Sequence, residues 1–153
     1  MSSFTVVEGL GKGSFGAVFL VEHAFRRDKG QVARPQVLAM KMVARETVAS
    51  SEKRVRHLEI ERRVMAQVVG HPFIVHLHYA LQSPSALFFV MDYCAGGDLF
   101  FHLCQLRHKP AAGSGAKHFN EEEVRFFAAQ VSCALGHLHQ NLIVYRDLKP
   151  EVI

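Results

Sequence analysis

Eight residues near the start of the chain, Gly11-Lys12-Gly13-Ser14-Phe15-Gly16-Ala17-Val18, set glycines at the spacing G-x-G-x-x-G and follow them with x-V. Glycines so spaced let main-chain N–H groups approach phosphate oxygens with no side chain in the way, and they permit positive φ in a turn. Other arrangements use the same spacing. A dinucleotide site needs strand, turn and helix in that order, whereas Ala17-Val18-Phe19-Leu20-Val21 reads as a second strand after the turn; an ordinary glycine-rich hairpin fits equally well. Two further residues bear on the choice. Lys41 ends the apolar run Leu38-Ala39-Met40, and Glu61 lies on the apolar stripe of a helical pattern. A buried Lys–Glu pair costs several kcal/mol of desolvation per ion before attraction offsets it, so it persists where it has a task, and holding nucleotide phosphates is such a task. For either residue alone, a solvated charge or a surface salt bridge is the plain alternative.

A sheet must hold these groups. Residues 4–10 and 17–21 read as strands flanking the glycine turn, residues 26–35 as an exposed loop, and residues 36–43 as a third strand. Residues 51–69 are helical by period, with Val55, Leu58, Met65 and Val68 on one stripe, and Gly70-His71-Pro72 ends the pattern. Two more strands, 74–81 and 86–91, are joined by the turn Gln82-Ser83-Pro84-Ser85. The remainder is helical. A Gly-Gly hinge at Gly96-Gly97 precedes a helix over residues 98–107, and residues 109–117 form a linker rich in Pro, Gly, Ala and Ser. Asn120 and Glu123 then make a capping box for a helix ending near Gln140, with Val124, Ala128, Val131, Leu135 and Leu138 at helical spacing. The fold class is α+β.

The 153 residues are 49% hydrophobic and 21% charged, enough apolar material for a packed core. A formal charge of +4, spread over two regions, is too weak and too dispersed for a nucleic-acid surface, so no nucleic-acid partner is expected. Cys94, Cys104 and Cys133 fit no metal pattern and read as free buried thiols of a reducing, intracellular setting, in cytoplasm or nucleus or both. The pairs His76/His78 and His137/His139 lack Cys or carboxylate partners at ligand spacing, so no metal site is expected from them. The start of the chain has no leader pattern, and no apolar stretch approaches the roughly 18 residues that span a bilayer, so no membrane insertion is expected.

Seven segments in order resemble the protein kinase family, and within it the AGC serine/threonine group. They are Leu10 to Gly16; Ala39-Met40-Lys41; Glu61-Arg62-Arg63-Val64-Met65; His71-Pro72-Phe73-Ile74-Val75; Met91-Asp92-Tyr93-Cys94-Ala95-Gly96-Gly97-Asp98-Leu99-Phe100; Ala134-Leu135-Gly136-His137-Leu138-His139; and Tyr145-Arg146-Asp147-Leu148-Lys149-Pro150-Glu151. The resemblance implies a five-stranded antiparallel small lobe with one regulatory helix over residues 1–92, a hinge over 93–97 and the start of a helical large lobe over 98–153.

It also implies roles. Gly11, Gly13 and Gly16, with Lys12, Ser14, Phe15 and Ala17 between and beside them, would cover the phosphates of ATP; Leu10, Val18 and Ala39 would sandwich the adenine. Lys41, oriented by Glu61, would hold the α- and β-phosphates. Met91 would be the gatekeeper, the Asp92 carbonyl and Cys94 amide would read the adenine edge, and Asp98 would accept from the ribose. Asp147 would orient the acceptor hydroxyl and Lys149 would neutralise the phosphoryl group in transit.

Position 152 departs from the pattern. The resemblance calls there for a metal-binding Asn and the chain has Val152, with no Asp-Phe-Gly after it, so the protein ligands of Mg²⁺ are missing from these residues. The large lobe is therefore expected to be truncated within the catalytic loop, through an unspliced transcript or as a short isoform. The expectation is ATP binding that is weak, protein substrates for the complete family member, and no turnover here. The alternative is a catalytically dead interaction or decoy module that engages a regulatory protein.

Overall fold

The computed structural model describes residues 3–13, 16–24, 35–108 and 118–153. Ser14 and Phe15, two of the residues assigned to the phosphate turn, lie outside these, as do residues 26–34 of the expected loop and the expected linker 109–117. The chain divides into two compact units, one of residues 1–69 and 75–93, the other of residues 70–74 and 94–153.

The first unit is built on a five-stranded sheet: β1 (Ser3–Gly13), β2 (Gly16–Ala24), β3 (Gln36–Ala44), β4 (Leu77–Gln82) and β5 (Ala86–Asp92). Its order is β1-β2-β3-β5-β4 with every pair antiparallel, which places β3 at the centre. Both faces of β3 are covered, so its sequence is a near-continuous apolar run rather than an alternating one. On one face Val21, Leu38, Met40 and Val90 form a core closed by Phe4, Phe19, Tyr79 and Phe88. On the other, Val43 and Phe89 pack with residues of two helices, α1 (Arg45–Ala49) and α2 (Glu52–Gln67), through Val48 and Leu58.

The single expected helix is thus two. A five-residue helix carries too little periodicity to be read from sequence, and α1 is anchored by tertiary bonds: the Arg45 amide donates to the Ser85 carbonyl at 2.9 Å and its side chain to the Ser83 carbonyl and Gln82 Oε1, each at 2.8 Å. Only part of the expected α2 stripe is covered. Leu58 and Val68 are buried, whereas Val55 stays exposed.

In the second unit α3 (Leu99–His108) starts from Asp98, whose Oδ1 accepts from the Phe101 amide at 2.7 Å. The longer α4 (Glu121–Gln140) has the reciprocal cap its sequence announces: Asn120 Oδ1 accepts from the Glu123 amide at 2.9 Å, and Glu123 Oε2 accepts from the Asn120 amide at 2.8 Å. Replacing Asn120 by Ala is expected to cost about 0.5–2 kcal/mol of helix stability. Hydrogen exchange checks this: the amides of Glu123 and Val124 should exchange faster in the variant, while those near Leu135 should not change.

Along α4 Leu138 is buried and Val131 and Leu135 half-buried; Val124 is exposed and so is Phe126, a neighbour not counted in the expected stripe. A 3-10 turn, Pro150–Val152, follows, and the Ile153 carbonyl accepts from the Leu99 amide at 2.9 Å. The three cysteines are free, as expected, but none is buried: Cys94 and Cys133 are exposed and Cys104 half-buried. Neither exposed thiol lies on a covered face, and burial cannot be read from an isolated Cys.

Candidate functional site

The sheet register sets the phosphate-binding candidates in one row. Gly11 pairs with Val18, Val18 with Lys41 and Lys41 with Phe89. Directly opposed residues share a face, so Val18 and Lys41 lie on the face that α2 covers. Leu58 docks α2 there, and Glu61, nearly one turn further on, lies on the same side of the helix. Its Oε1 meets Lys41 Nζ at 2.6 Å.

The pair is formed but not buried, which corrects the sequence reading. The side chains of Lys41 and Glu61 are 25% and 41% exposed, because α2 meets the sheet through few residues and leaves this stretch open to water. Its desolvation cost is correspondingly lower. Lys41 has three N–H donors and Glu61 takes one, so two remain for phosphate oxygens.

Gly11 and Gly13 are exposed, and a Cβ added at either would meet nothing within 4 Å, so the main chain is open to a close-approaching ligand. Gly16 is different. Its φ is 151°, and a Cβ there would be driven into the carbonyl oxygen of Met42 on β3. Leu10 and Lys12 are exposed, Ala17 and Val18 half-buried, and Ala39 buried between Leu20 and Met91.

Asp92 closes β5 with its carboxylate engaged at both oxygens. Oδ2 accepts from the His76 amide at 2.9 Å, and Oδ1 lies 2.7 Å from His78 Nε2. Burial opposes ionisation of this carboxyl, but the His76 amide and the His78 ring outweigh it and hold its pKa below the usual Asp value. Sequence reading missed this role for His78 and for the Asp92 side chain. Antiparallel register, with Leu77 opposite Met91, predicts only that His76 faces Asp92; His78 reaches the carboxylate because it is the extra residue of a bulge between Leu77 and Tyr79, which no sequence pattern announces.

The second unit carries Cys94, Asp98, Asp147 and Lys149. The Cys94 carbonyl accepts from the Gly97 amide at 3.4 Å, and Gly97 turns with φ 76°, in the left-handed region that glycine allows. One Asp98 oxygen is spent on the α3 cap, leaving Oδ2 for another donor. Arg146 has φ 65°, a conformation costly for a residue with Cβ, and through it the Asp147 amide turns back to the Tyr145 carbonyl at 3.0 Å.

Asp147 and Lys149 are brought together. Lys149 Nζ donates to both Asp147 oxygens, at 3.0 and 3.2 Å, in an exposed pair. That hydrogen bond, and the Asp147 charge, raise the Lys149 pKa. No group of three His, Cys, Asp or Glu that could hold a metal ion occurs among the described residues, and Val152 sits in the 3-10 turn without a donor side chain. The residues present do not fit a Mg²⁺ ion.

A glycine-rich strand pair, a β3 lysine joined to a helix glutamate, and a left-handed Arg before Asp147 are found in the segments on which the sequence resembles the protein kinase family. Comparison with known proteins agrees: the family model for the protein kinase domain matches residues 4–153, and the chain belongs to that family. Within it the chain is of AGC serine/threonine type. It is 39% identical over 150 residues to serine/threonine-protein kinase sgk-1 of Caenorhabditis elegans, 41% over 152 residues to serine/threonine-protein kinase Sgk3 of Rattus norvegicus, and 40% over 152 residues to serine/threonine-protein kinase Sgk1 of Gallus gallus. These alignments take in 98%, 99% and 99% of this chain but 28%, 27% and 31% of those proteins, so the chain spans less than a third of their length.

Proposed function

We propose that these residues bind ATP as the nucleotide-recognising part of a serine/threonine protein kinase, whose reaction moves the γ-phosphoryl group of ATP to a Ser or Thr hydroxyl of a protein. The observation that carries the reading is the Lys41–Glu61 pair at 2.6 Å on the sheet face shared with Val18, in register with Gly11. Main-chain N–H groups of the glycine strands and Lys41 bind the phosphates. Ala39, Val18 and Leu10 take the adenine between them, with Met91, the Asp92 carbonyl and the Cys94 amide at its edge. Asp98 Oδ2 accepts from the ribose. Residues 1–92 act as the small lobe, 93–97 as the hinge, and 98–153 as the beginning of the large lobe.

Asp147 is the group that orients an acceptor hydroxyl and Lys149 the one that offsets charge on the phosphoryl group; their mutual pairing must open for either to act. Bound Mg²⁺ would supply charge neutralisation, but Val152 offers it no ligand. Phosphoryl transfer rests largely on such positioning and charge, and the loss of one well-placed electrostatic group costs about 10²–10³-fold. A polypeptide of these 153 residues is therefore a nucleotide binder without turnover. The same Val152 favours a second reading, an interaction module that engages a kinase's regulatory protein. An odd count of three cysteines supports an intracellular setting, in cytoplasm or nucleus.

Thermal denaturation and phosphate transfer separate these readings. Millimolar ATP should raise the melting temperature of the 153-residue polypeptide, and γ-labelled ATP should leave no label on a Ser/Thr peptide mixture. An unchanged melting temperature would reject nucleotide binding in favour of the interaction module; labelled peptide would reject the absence of turnover.

A further inference from the structure

We infer that His78 is a positioning residue for adenine recognition: through the Asp92 carboxylate it fixes the peptide group that faces the edge of the base. The inference rests on the reading that places the Asp92 carbonyl at the adenine. Asp92 is the last residue of β5, where a ladder ordinarily frays and the terminal peptide pivots. Here it is held three times. Its amide donates to the His76 carbonyl at 3.1 Å, Oδ2 accepts from the His76 amide at 2.9 Å, and Oδ1 lies 2.7 Å from His78 Nε2.

The backbone is shaped for this contact. The β4–β5 register runs from Leu77↔Met91 to Tyr79↔Val90, which leaves His78 as the extra residue of a bulge. An extra residue of this kind re-aims a side chain that strict alternation would send elsewhere. The His76 ring, just before β4, stands edge-on to the His78 ring at 4.7 Å, and the Tyr79 ring lies 6.5 Å away, so the imidazole has aromatic neighbours on both sides along the chain. Asp92 is the charged partner it faces from β5.

Magnitudes separate a positioning role from a stabilising one. The His78 and Asp92 side chains are 22% and 45% exposed, so the pair adds little to global stability. Yet it acts on the orientation of one peptide group, and a hydrogen bond to a base is lost if its acceptor points away. The effect of losing His78 should fall on the base-dependent part of affinity and spare the phosphate-dependent part.

Calorimetric titration of the 153-residue polypeptide with ATP, GTP and inorganic tripolyphosphate tests this. The unmodified chain should prefer ATP to GTP. His78→Ala should weaken ATP roughly 3–10-fold, the loss of about one hydrogen bond, and leave tripolyphosphate unchanged. His78→Gln, whose amide donor replaces Nε2–H, should restore ATP affinity. Asp92→Asn, which surrenders one of the two acceptor oxygens, should show the same base-selective loss and decides the matter if His78→Ala does not fold. Equal loss for ATP and tripolyphosphate, or undiminished preference for ATP in both His78→Ala and Asp92→Asn, overturns the positioning role. Absence of any ATP preference in the unmodified chain overturns the assignment of the Asp92 carbonyl to the base, and this inference with it; Lys41-dependent phosphate binding would survive that result.

Discussion

Replacing Lys41 by Ala is expected to weaken ATP binding about 10- to 100-fold, the cost of losing charge-assisted hydrogen bonds of about 1.5–3 kcal/mol in total. Two effects act in the same direction. The ammonium group that bridges to phosphate oxygens is gone, and the Glu61 carboxylate, which it had met at 2.6 Å, is left facing a polyanion. Glu61→Gln should do less. It keeps the cation and removes only what aims it, so a loss of about 3–10-fold is expected. Neither change should threaten the fold, because the pair is 25% and 41% exposed and exposed pairs contribute about 0–1 kcal/mol. The measurement is equilibrium titration with ATP beside thermal denaturation of each variant. Lys41→Ala binding ATP as tightly as the unmodified chain would remove the phosphate role from Lys41. A fall in melting temperature as large as that of a core truncation would show instead that the pair is chiefly structural.

What the sequence made legible follows from how local each interaction is. The Asn120–Glu123 cap involves groups three residues apart, and it is found bond for bond. The strands, the two turn-joined pairs and the place of Lys41 on β3 were legible too, because apolar runs, a glycine turn and the turn at Ser83-Pro84 mark them, whereas their union in one antiparallel sheet was implied only by the family resemblance. Glu61 was assignable to the inner stripe because Leu58 lies three residues before it. How much water reaches the pair was not assignable, since that depends on how closely α2 meets the sheet. The helix α1 was invisible for a related reason: five residues have no readable period, and Arg45 anchors them through bonds to a turn 37 to 40 residues away. The pairing of Lys149 with Asp147 is sequence-local, but family resemblance assigned each an external partner and so hid their attraction for each other.

Gly16→Ala is expected to be the most damaging single-methyl change in the glycine segment, and for a reason unconnected with phosphate. At φ 151° an L side chain is strained, at a cost of about 1–3 kcal/mol, and the added Cβ would enter the Met42 carbonyl of the central strand. That oxygen belongs to β3 and cannot swing aside as a flexible side chain would. Relief requires β2 to lift from β3 at the position where Ala17 pairs with Met42, one residue from the Val18–Lys41 pair. Strain at Gly16 therefore propagates to the lysine, and both stability and ATP affinity should fall. Gly11→Ala and Gly13→Ala make the contrast. A Cβ at either meets nothing within 4 Å, so the fold should keep its melting temperature, or gain slightly from a stiffer unfolded chain, while ATP binding weakens because the phosphates lose their close approach to the main chain. Urea denaturation and ATP titration of the three variants measure both quantities. Equal stability of all three would mean that the Gly16 contact relaxes at no cost. Unchanged ATP binding in Gly11→Ala and Gly13→Ala would mean that the open space above them is not where the phosphates lie.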